Sequence, residues 1–232
     1  MVKLPVMMFA AGFGSRMGAL TADRPKPLIP VAGKALLDHA LAVVDAAQTG
    51  AIVINLHYRG DQIRAHLSGR RDIGFSEEAG DILDTGGGLR HALALLAADT
   101  VLTLNTDAVW TGANPLRQLC AAWRPDQMDG LLLLLPLAQA TGHGARADFA
   151  LDADGRLRRG QGDETHVYLG AQIIKTAALA QVEARAFSLN VLWNQMIGAG
   201  RAYGAVHQGG WCDVGHPAGV ALAEAMLNGV PS

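Results

Sequence analysis

Short apolar runs and helical spacings alternate over the first 110 residues, and few folds accept that alternation. Leu4 to Phe9 has the length and character of a buried strand. Gly33 to Ala47 carries Leu36, Leu37, Ala40, Leu41, Val43 and Val44 at helical spacing, with Gly50 closing the segment. Ala51 to Ile54 is a second strand, running out at Asn55. Gly60 to Leu67 is a short helix, and Asp72 to Phe75 a third strand leading to Glu77 and Glu78. Leu83-Asp84-Thr85-Gly86-Gly87-Gly88 opens a helix from Leu89 to Ala97, and Val101 to Leu104 is a strand ending in Asn105-Thr106-Asp107. This order predicts an α/β fold with a doubly wound, mostly parallel sheet. Ligands in such sheets bind beyond the carboxyl ends of the strands. The segments after Phe9, at Asn55, at Gly86 and at Asp107 all fall there, so they can line one crevice.

The segment after the first strand carries the chemistry. Ala10-Ala11-Gly12-Phe13-Gly14-Ser15-Arg16-Met17 is followed by Arg24-Pro25-Lys26-Pro27-Leu28. Two glycines two residues apart open a loop whose backbone N–H groups can reach phosphate oxygens. Arg16 adds a fork suited to bidentate phosphate contact. Lys26 adds a second cation between two prolines that restrict the backbone. No Gly-Lys-Ser/Thr follows, so this is not a P-loop, and the third glycine of a dinucleotide fingerprint is missing.

The second half has a different pattern. A helix runs from Pro115 to about Trp123, and Leu131 to Leu135 is a run of five leucines, far too short to span a membrane. Asp152-Ala153-Asp154-Gly155 reads as a hairpin turn. His166 to Ile174 is a strand with Gly170 inside it, where a glycine often marks a close approach by ligand or backbone. Leu189 to Ile197 is a helix, Ala202 to Val206 a strand, Trp211 to Gly215 a turn, and Pro217 to Leu227 a closing helix. Residues 1–112 therefore read as the half of a single domain that carries the phosphate loop, and 113–232 as the half with a smaller mixed lobe that caps the sheet and supplies the other partner's pocket.

With 232 residues, half of them apolar, the chain can bury a sizeable core. Its net charge of −2 argues against a nucleic-acid partner, and no stretch reads as a membrane span. Cys120 and Cys212 form neither a metal spacing nor a disulfide framework, which places the chain in a reducing cytoplasm. The histidines show no zinc pattern. Asp107 and Asp213 can each be a turn or cap residue, or a Mg²⁺ ligand acting with phosphate oxygens. Gly86 and Gly87 can be a loosely packed helix start, or backbone that lets a flat base lie close. Asn55 can bond a sugar or hold the loop.

These motifs together resemble the nucleotidyltransferases that make nucleotide sugars. The resemblance is strongest to short bacterial uridylyltransferases acting on N-acetylmuramic acid 1-phosphate in cell-wall recycling. It rests on Ala10 to Met17, Pro25 to Leu28, Val31-Ala32-Gly33, Leu83 to Gly88, Asn105-Thr106-Asp107 with Trp110, Gly142-His143-Gly144 and Trp211 to Gly215. The mannose-1-phosphate guanylyltransferases share most of these. The resemblance implies a Rossmann-like nucleotide-diphospho-sugar transferase fold, and the reaction of a nucleoside triphosphate with a sugar 1-phosphate to give a nucleotide sugar and pyrophosphate.

It also implies roles, and would make residues 1–112 the nucleotide-binding half and 113–232 the sugar-binding half. Arg16 would meet the β- and γ-phosphates, and Lys26 the α-phosphate and the incoming sugar phosphate. Asp107 and Asp213 would hold Mg²⁺. Ala10, Ala11, Gly12, Gly14, Gly86 and Gly87 would shape the nucleotide pocket, with Glu78 near the base. Asn55, Gly170 and Asn190 are the candidate sugar contacts. The sequence departs from the family pattern in three places. Arg158 to Gly162 replaces a Glu-Lys-Pro sugar contact, Ala147 replaces a glycine, and Gly18-Ala19 stands where relatives often have proline. The chain ends after the closing helix, so no appended β-helix acyltransferase is expected, and a monomer or small homo-oligomer is. Guanylyl transfer to mannose 1-phosphate, cytidylyl transfer to a phospho-amino-alcohol and a non-catalytic nucleotide sensor are the alternatives. The presence of Arg16, Lys26, Asp107 and Asp213 together weighs against the sensor.

Overall fold

The computed structural model describes residues 3–144, 147–160 and 165–229. Gln161 and Gly162, part of the segment replacing the Glu-Lys-Pro contact, lie outside the described residues. The elements in chain order are β1 (Val6–Phe9), β2 (Pro30–Val31), β3 (Lys34–Ala35), α1 (Leu36–Ala47), β4 (Ile52–Leu56), α2 (Gly60–His66), β5 (Ile73–Glu77), α3 (Asp84–Leu96), β6 (Thr100–Asn105) and β7 (Ala108–Trp110). They continue with α4 (Pro115–Ala122), β8 (Gly130–Pro136), β9 (Phe149–Leu151), β10 (Leu157–Arg159), β11 (His166–Lys175), α5 (Asn190–Gly198), β12 (Ala202–Val206), β13 (Trp211–Asp213) and α6 (Pro217–Leu227).

The strands β5, β4, β1 and β6 lie side by side and are parallel. Such strands are covered on both faces, which is why they read as unbroken apolar runs. Val6, Met7 and Met8 are all fully buried. Met8 and Ile54 pack on one side with Leu37, Leu41 and Val44 of α1 and Leu116 and Leu119 of α4. Met7 and Val53 pack on the other with Leu89, Ala92 and Leu96 of α3 and Leu192 and Met196 of α5. The sheet is doubly wound, as the alternation predicts.

The second half continues the same sheet. β11 pairs antiparallel with β6 and with β8, and β12 runs parallel to β8. The leucine run serves both faces: Leu131, Leu133 and Leu135 join the α1 side, Leu132 and Leu134 the α3 side. β9 and β10 form the hairpin expected around Asp152 to Gly155. Among the described residues no helix is long and apolar enough to cross a membrane.

Three local expectations change. The first helix starts at Leu36 rather than Gly33, because Ala32 (φ 47°) and Gly33 (φ 77°) turn a β2–β3 hairpin. α3 starts at Asp84 rather than Leu89, taking the three glycines inside the helix. Trp211 to Asp213 is a strand rather than part of a turn, paired antiparallel with β7. This pair, α6 and the loop after β1 share a third apolar cluster that includes Met17, Ile29, Val109, Cys212, Val214 and Ala223.

Candidate active site

A crevice opens at the carboxyl ends of β1, β4 and β6. Its lining includes Ala10, Ala11, Gly12, Lys26, Asn55, Glu78 and Asp107, all singled out from the sequence. The loop after β1 is held from two sides. Asn55 Oδ1 accepts the Ala10 N–H at 2.7 Å. The N–H groups of Ala11 and Gly12 have no acceptor among the described residues. Gly14 has φ 65°, and a Cβ there would lie 2.9 Å from the Lys26 Cβ, so only glycine lets the loop rest on the lysine stem. The Tyr58 hydroxyl donates to the Thr21 carbonyl at 3.1 Å, and Arg59 Nη2 to that of Ala22 at 2.7 Å. Met17 is fully buried, while Arg16 beside it is exposed.

The β7–β13 ladder builds the charged corner. Its register sets Asp213 opposite Ala108, and the Val214 N–H donates to the Asp107 carbonyl at 2.9 Å. Two aspartates far apart in sequence thereby become neighbours. Lys26 Nζ donates to Asp107 Oδ2 at 2.7 Å, with the lysine only 9% exposed. The Asp213 carboxyl is held above the usual carboxylate range, first by burial and then by the charge of Asp107. Lys26, Arg16 and His143 act on it in the opposite direction. Two adjacent carboxylates, one raised by the other's charge, fit a hard divalent cation that takes its remaining ligands from phosphate oxygens. No cluster of three His, Cys, Asp or Glu side chains suited to a metal exists among the described residues, so a cation would depend on such oxygens.

His143, in the Gly142-His143-Gly144 motif to which the sequence assigned no role, is a member of this corner. The Asp213 N–H donates to the Thr141 carbonyl at 3.0 Å, and Gly142 (φ 72°) packs against the Asp213 backbone so closely that a Cβ would collide with it. That contact draws the His143 segment alongside β13. Only the fold brings residues 141–143 to Asp213.

The opposite wall is built from a buried polar chain. Asn55 Nδ2 donates to Glu78 Oε1 at 2.6 Å, and Glu78 Oε2 accepts the Leu83 N–H at 2.8 Å. Both side chains are buried. Of the two roles open to Asn55, the structure gives its amide the holding of the loop. Both oxygens of Glu78 are engaged, Oε1 with Asn55 and Oε2 with the start of α3. Gly86 and Gly87 do not form the crevice surface. Their N–H groups donate to the Phe187 carbonyl at 2.8 and 3.0 Å, and a Cβ on either would strike Phe187 or the Arg185 carbonyl. The space expected for a flat base at these two glycines is filled by protein, and Ile82, Asp84 and Thr85 face the crevice instead.

The remaining candidates lie where β11 passes the end of β6. Gly170 has φ 78° at an irregularity in the β8–β11 register, and a Cβ there would lie 2.8 Å from the Asn105 side chain. The close approach foreseen for Gly170 is to Asn105, which itself lines the crevice. Asn190 begins α5 and is exposed; its Oδ1 accepts from Arg159 Nη2 at 2.8 Å. The preceding residue ties this helix to the crevice wall, since the Leu189 N–H donates to Thr85 Oγ1 at 3.0 Å.

Comparisons with known proteins agree with this architecture. Residues 6–141 match the model of the MobA-like NTP transferase domain. The N-acetylmuramate α-1-phosphate uridylyltransferase of Caulobacter vibrioides is 40% identical over 231 residues, covering 95% of this chain and 96% of that protein. The protein of the same name from Neisseria meningitidis is 30% identical, covering 96% and 98%. Among solved structures, HddC from Yersinia pseudotuberculosis complexed with GMP-PN superposes with a TM-score of 0.76 at 17% identity, over 97% of this chain and 99% of the other. A UDP-glucose pyrophosphorylase complexed with UDP-glucose gives 0.77 at 14% identity, over the whole of both chains. Identities this low show a shared fold. The family model spans more than half of the sequence and the two uridylyltransferases match it over nearly their whole length, so the chain belongs to the MobA-like NTP transferase family.

Proposed function

We propose that this protein transfers the uridylyl group of UTP to N-acetylmuramic acid 1-phosphate, releasing pyrophosphate. The observation that carries the proposal is the corner in which Lys26 contacts Asp107 beside Asp213, at the mouth of a crevice edged by unbonded N–H groups. Full-length relatives named for this reaction support the choice of nucleotide and sugar.

The sugar phosphate is already an anion, so no protein base or nucleophile is needed. One of its oxygens attacks the α-phosphorus of UTP, and the bond from that phosphorus to the bridging oxygen of the β-phosphate breaks. The work left to the protein is positioning and charge neutralisation. The Ala11 and Gly12 N–H groups and Arg16 hold the triphosphate and the departing pyrophosphate. Lys26 lies between the two reacting phosphates. Asp107 and Asp213 would hold Mg²⁺, which when bound supplies Lewis acidity and a template for the phosphates. Residues 1–112 carry most of the nucleotide site and 113–232 the sugar site, with Asp213 reaching back to the phosphates. Cytoplasmic location follows from the need for a nucleoside triphosphate.

Pyrophosphate release from each of the four common NTPs with N-acetylmuramic acid 1-phosphate, N-acetylglucosamine 1-phosphate and mannose 1-phosphate tests the proposal. UTP with N-acetylmuramic acid 1-phosphate is expected to be turned over fastest, and chelation of Mg²⁺ to abolish the reaction. Preference for GTP with mannose 1-phosphate would replace this reading, and activity indifferent to chelator would remove the metal.

A further inference from the structure

Asp84 stands in the crevice wall as the first residue of α3. It has φ 58°, a left-handed conformation that glycine adopts freely and other residues adopt at a cost. Oδ1 accepts the N–H of Thr85 at 2.5 Å, and no other hydrogen bond or ion pair to the side chain exists among the described residues. Oδ2 is left without a partner on an exposed residue that lines the crevice. The helix start does not need this carboxylate for anchorage: Gly86 and Gly87 are bonded to Phe187, and Leu83 to Glu78.

Its place in the sheet says which part of a nucleotide it would meet. α3 follows β5, while Asp107 follows β6, and β4 and β1 lie between those strands. Three inter-strand steps, about 14 Å, separate the ends of β5 and β6, and the Leu83 N–H bond to Glu78 fastens Asp84's neighbour at the β5 end. Triphosphate oxygens belong at the Lys26 and Asp107 end, so the far end, with Asp84, receives the base.

We infer that Asp84 reads the pairing edge of the base through Oδ2, accepting a hydrogen bond from a ring N–H. Uracil, thymine and guanine carry such an N–H in the middle of that edge. Cytosine and adenine present a lone pair there, which faces the carboxylate unfavourably. Glu78, which the sequence places near the base, has both oxygens engaged and leaves this task to Asp84. The inference rests on the nucleotide orientation of the proposed function and deepens it by assigning the base selection.

The test measures UTP and CTP binding to the full chain by calorimetry in Mg²⁺, for wild type, Asp84→Asn and Asp84→Gly. Asparagine keeps the shape and can turn an amide N–H toward cytosine. Glycine suits the backbone conformation and removes the carboxylate. Wild type is expected to favour UTP over CTP. That ratio should fall by about 10-fold or more in both variants, the worth of one charge-assisted hydrogen bond, with Asp84→Asn gaining CTP affinity. Melting temperature monitors the rival role: Asp84→Gly should melt no lower than wild type. Equal binding of UTP and CTP by wild type, or an unchanged ratio in both variants, overturns the inference. The binding assay contains no sugar phosphate, so an Asp84-dependent preference for UTP upholds the inference even if the sugar assignment fails.

Discussion

Two glycine-rich segments flank the crevice, and they do opposite things. In the first, Gly12 has nothing within 4 Å of where a Cβ would sit, and its N–H has no acceptor among the described residues. In the second, Gly86, Gly87 and Gly88 are buried, a Cβ on any of them would collide with protein, and the Gly86 and Gly87 N–H groups are bonded to Phe187. The absence of a side chain admits a ligand in one place and a neighbouring segment in the other. The two cannot be told apart from the letters alone, because the deciding atoms of Phe187, Arg185 and Glu78 lie elsewhere in the sequence. At the open end the chemistry is charged, carried by Arg16, Lys26, Asp107 and Asp213. At the packed end it is a fixed wall, in which Asp84 Oδ2 is left without a partner among the described residues.

The largest expected effect breaks the open end. Lys26→Ala should lower turnover by about 10²- to 10³-fold, the range for removing one preorganised charge contact in a transition state. It keeps the Cβ on which Gly14 rests, so melting temperature should change little. Initial rates of pyrophosphate release check this, and a rate near wild type removes Lys26 from the mechanism.

Asp213→Asn should act in two directions. The Mg²⁺ concentration giving half-maximal activity should rise by at least about 10-fold, the lower end of what even outer-sphere metal partners contribute. The metal-free protein should melt higher. The Asp213 carboxyl is raised in the folded state, so the fold binds its proton more tightly than the unfolded chain does. That carboxylate therefore destabilises the fold increasingly as pH rises from the ordinary carboxylate range through its raised pKa, and fully above it. The stability gain of the variant should be present at pH 7 and vanish below the ordinary carboxylate range. Melting curves across pH without metal decide it, and a variant that melts lower at pH 7 would show that Asp213 is a structural residue.

Much of this was legible before any coordinates. The buried parallel strands announce themselves as Val6 to Phe9, Ile52 to Ile54 and Val101 to Leu104, and the helices between them by spacing. The loop after β1 is legible for the same reason: Gly12, Gly14, Arg16 and Lys26 are close in sequence, so their spacing carries their relation. What escaped depends on distant partners. β13 has too few residues to signal itself and exists because β7 pairs with it. Asp107 and Asp213 were paired through family resemblance, since no local pattern joins them. The link from Ala10 through Asn55 and Glu78 to Leu83 uses three separate segments, and a one-dimensional pattern cannot show it. The start of α3 was placed late because glycine opposes helix locally, while packing on Phe187 overrides that preference.

Gly86→Ala sharpens the packed side of the comparison. The new methyl would meet the Phe187 ring and lie 2.8 Å from its carbonyl oxygen. Overpacking a buried site costs about 1–3 kcal/mol. Thermal or urea unfolding should show that loss, while the rate per folded molecule stays within a small factor of wild type. A large loss of UTP affinity with unchanged stability would mean that Gly86 faces the ligand after all.

Gly12→Ala is the smallest change and the sharpest contrast. The backbone there is not in the left-handed region, and the added methyl meets nothing, so the ligand-free fold should keep its stability or gain up to about 1 kcal/mol from a stiffer unfolded chain. With nucleotide bound, the same methyl would hold the phosphates away from the N–H groups of Ala11 and Gly12. KM for the nucleotide should rise by about three- to tenfold, less than the worth of a complete charge-assisted hydrogen bond because the loop can give slightly. KM for the sugar phosphate should not follow it. Equal stability losses in Gly12→Ala and Gly86→Ala would erase the distinction between the two segments. A rise in nucleotide KM without loss of stability in the first, set against the reverse in the second, would establish that one set of glycines makes room for phosphate and the other for the protein itself.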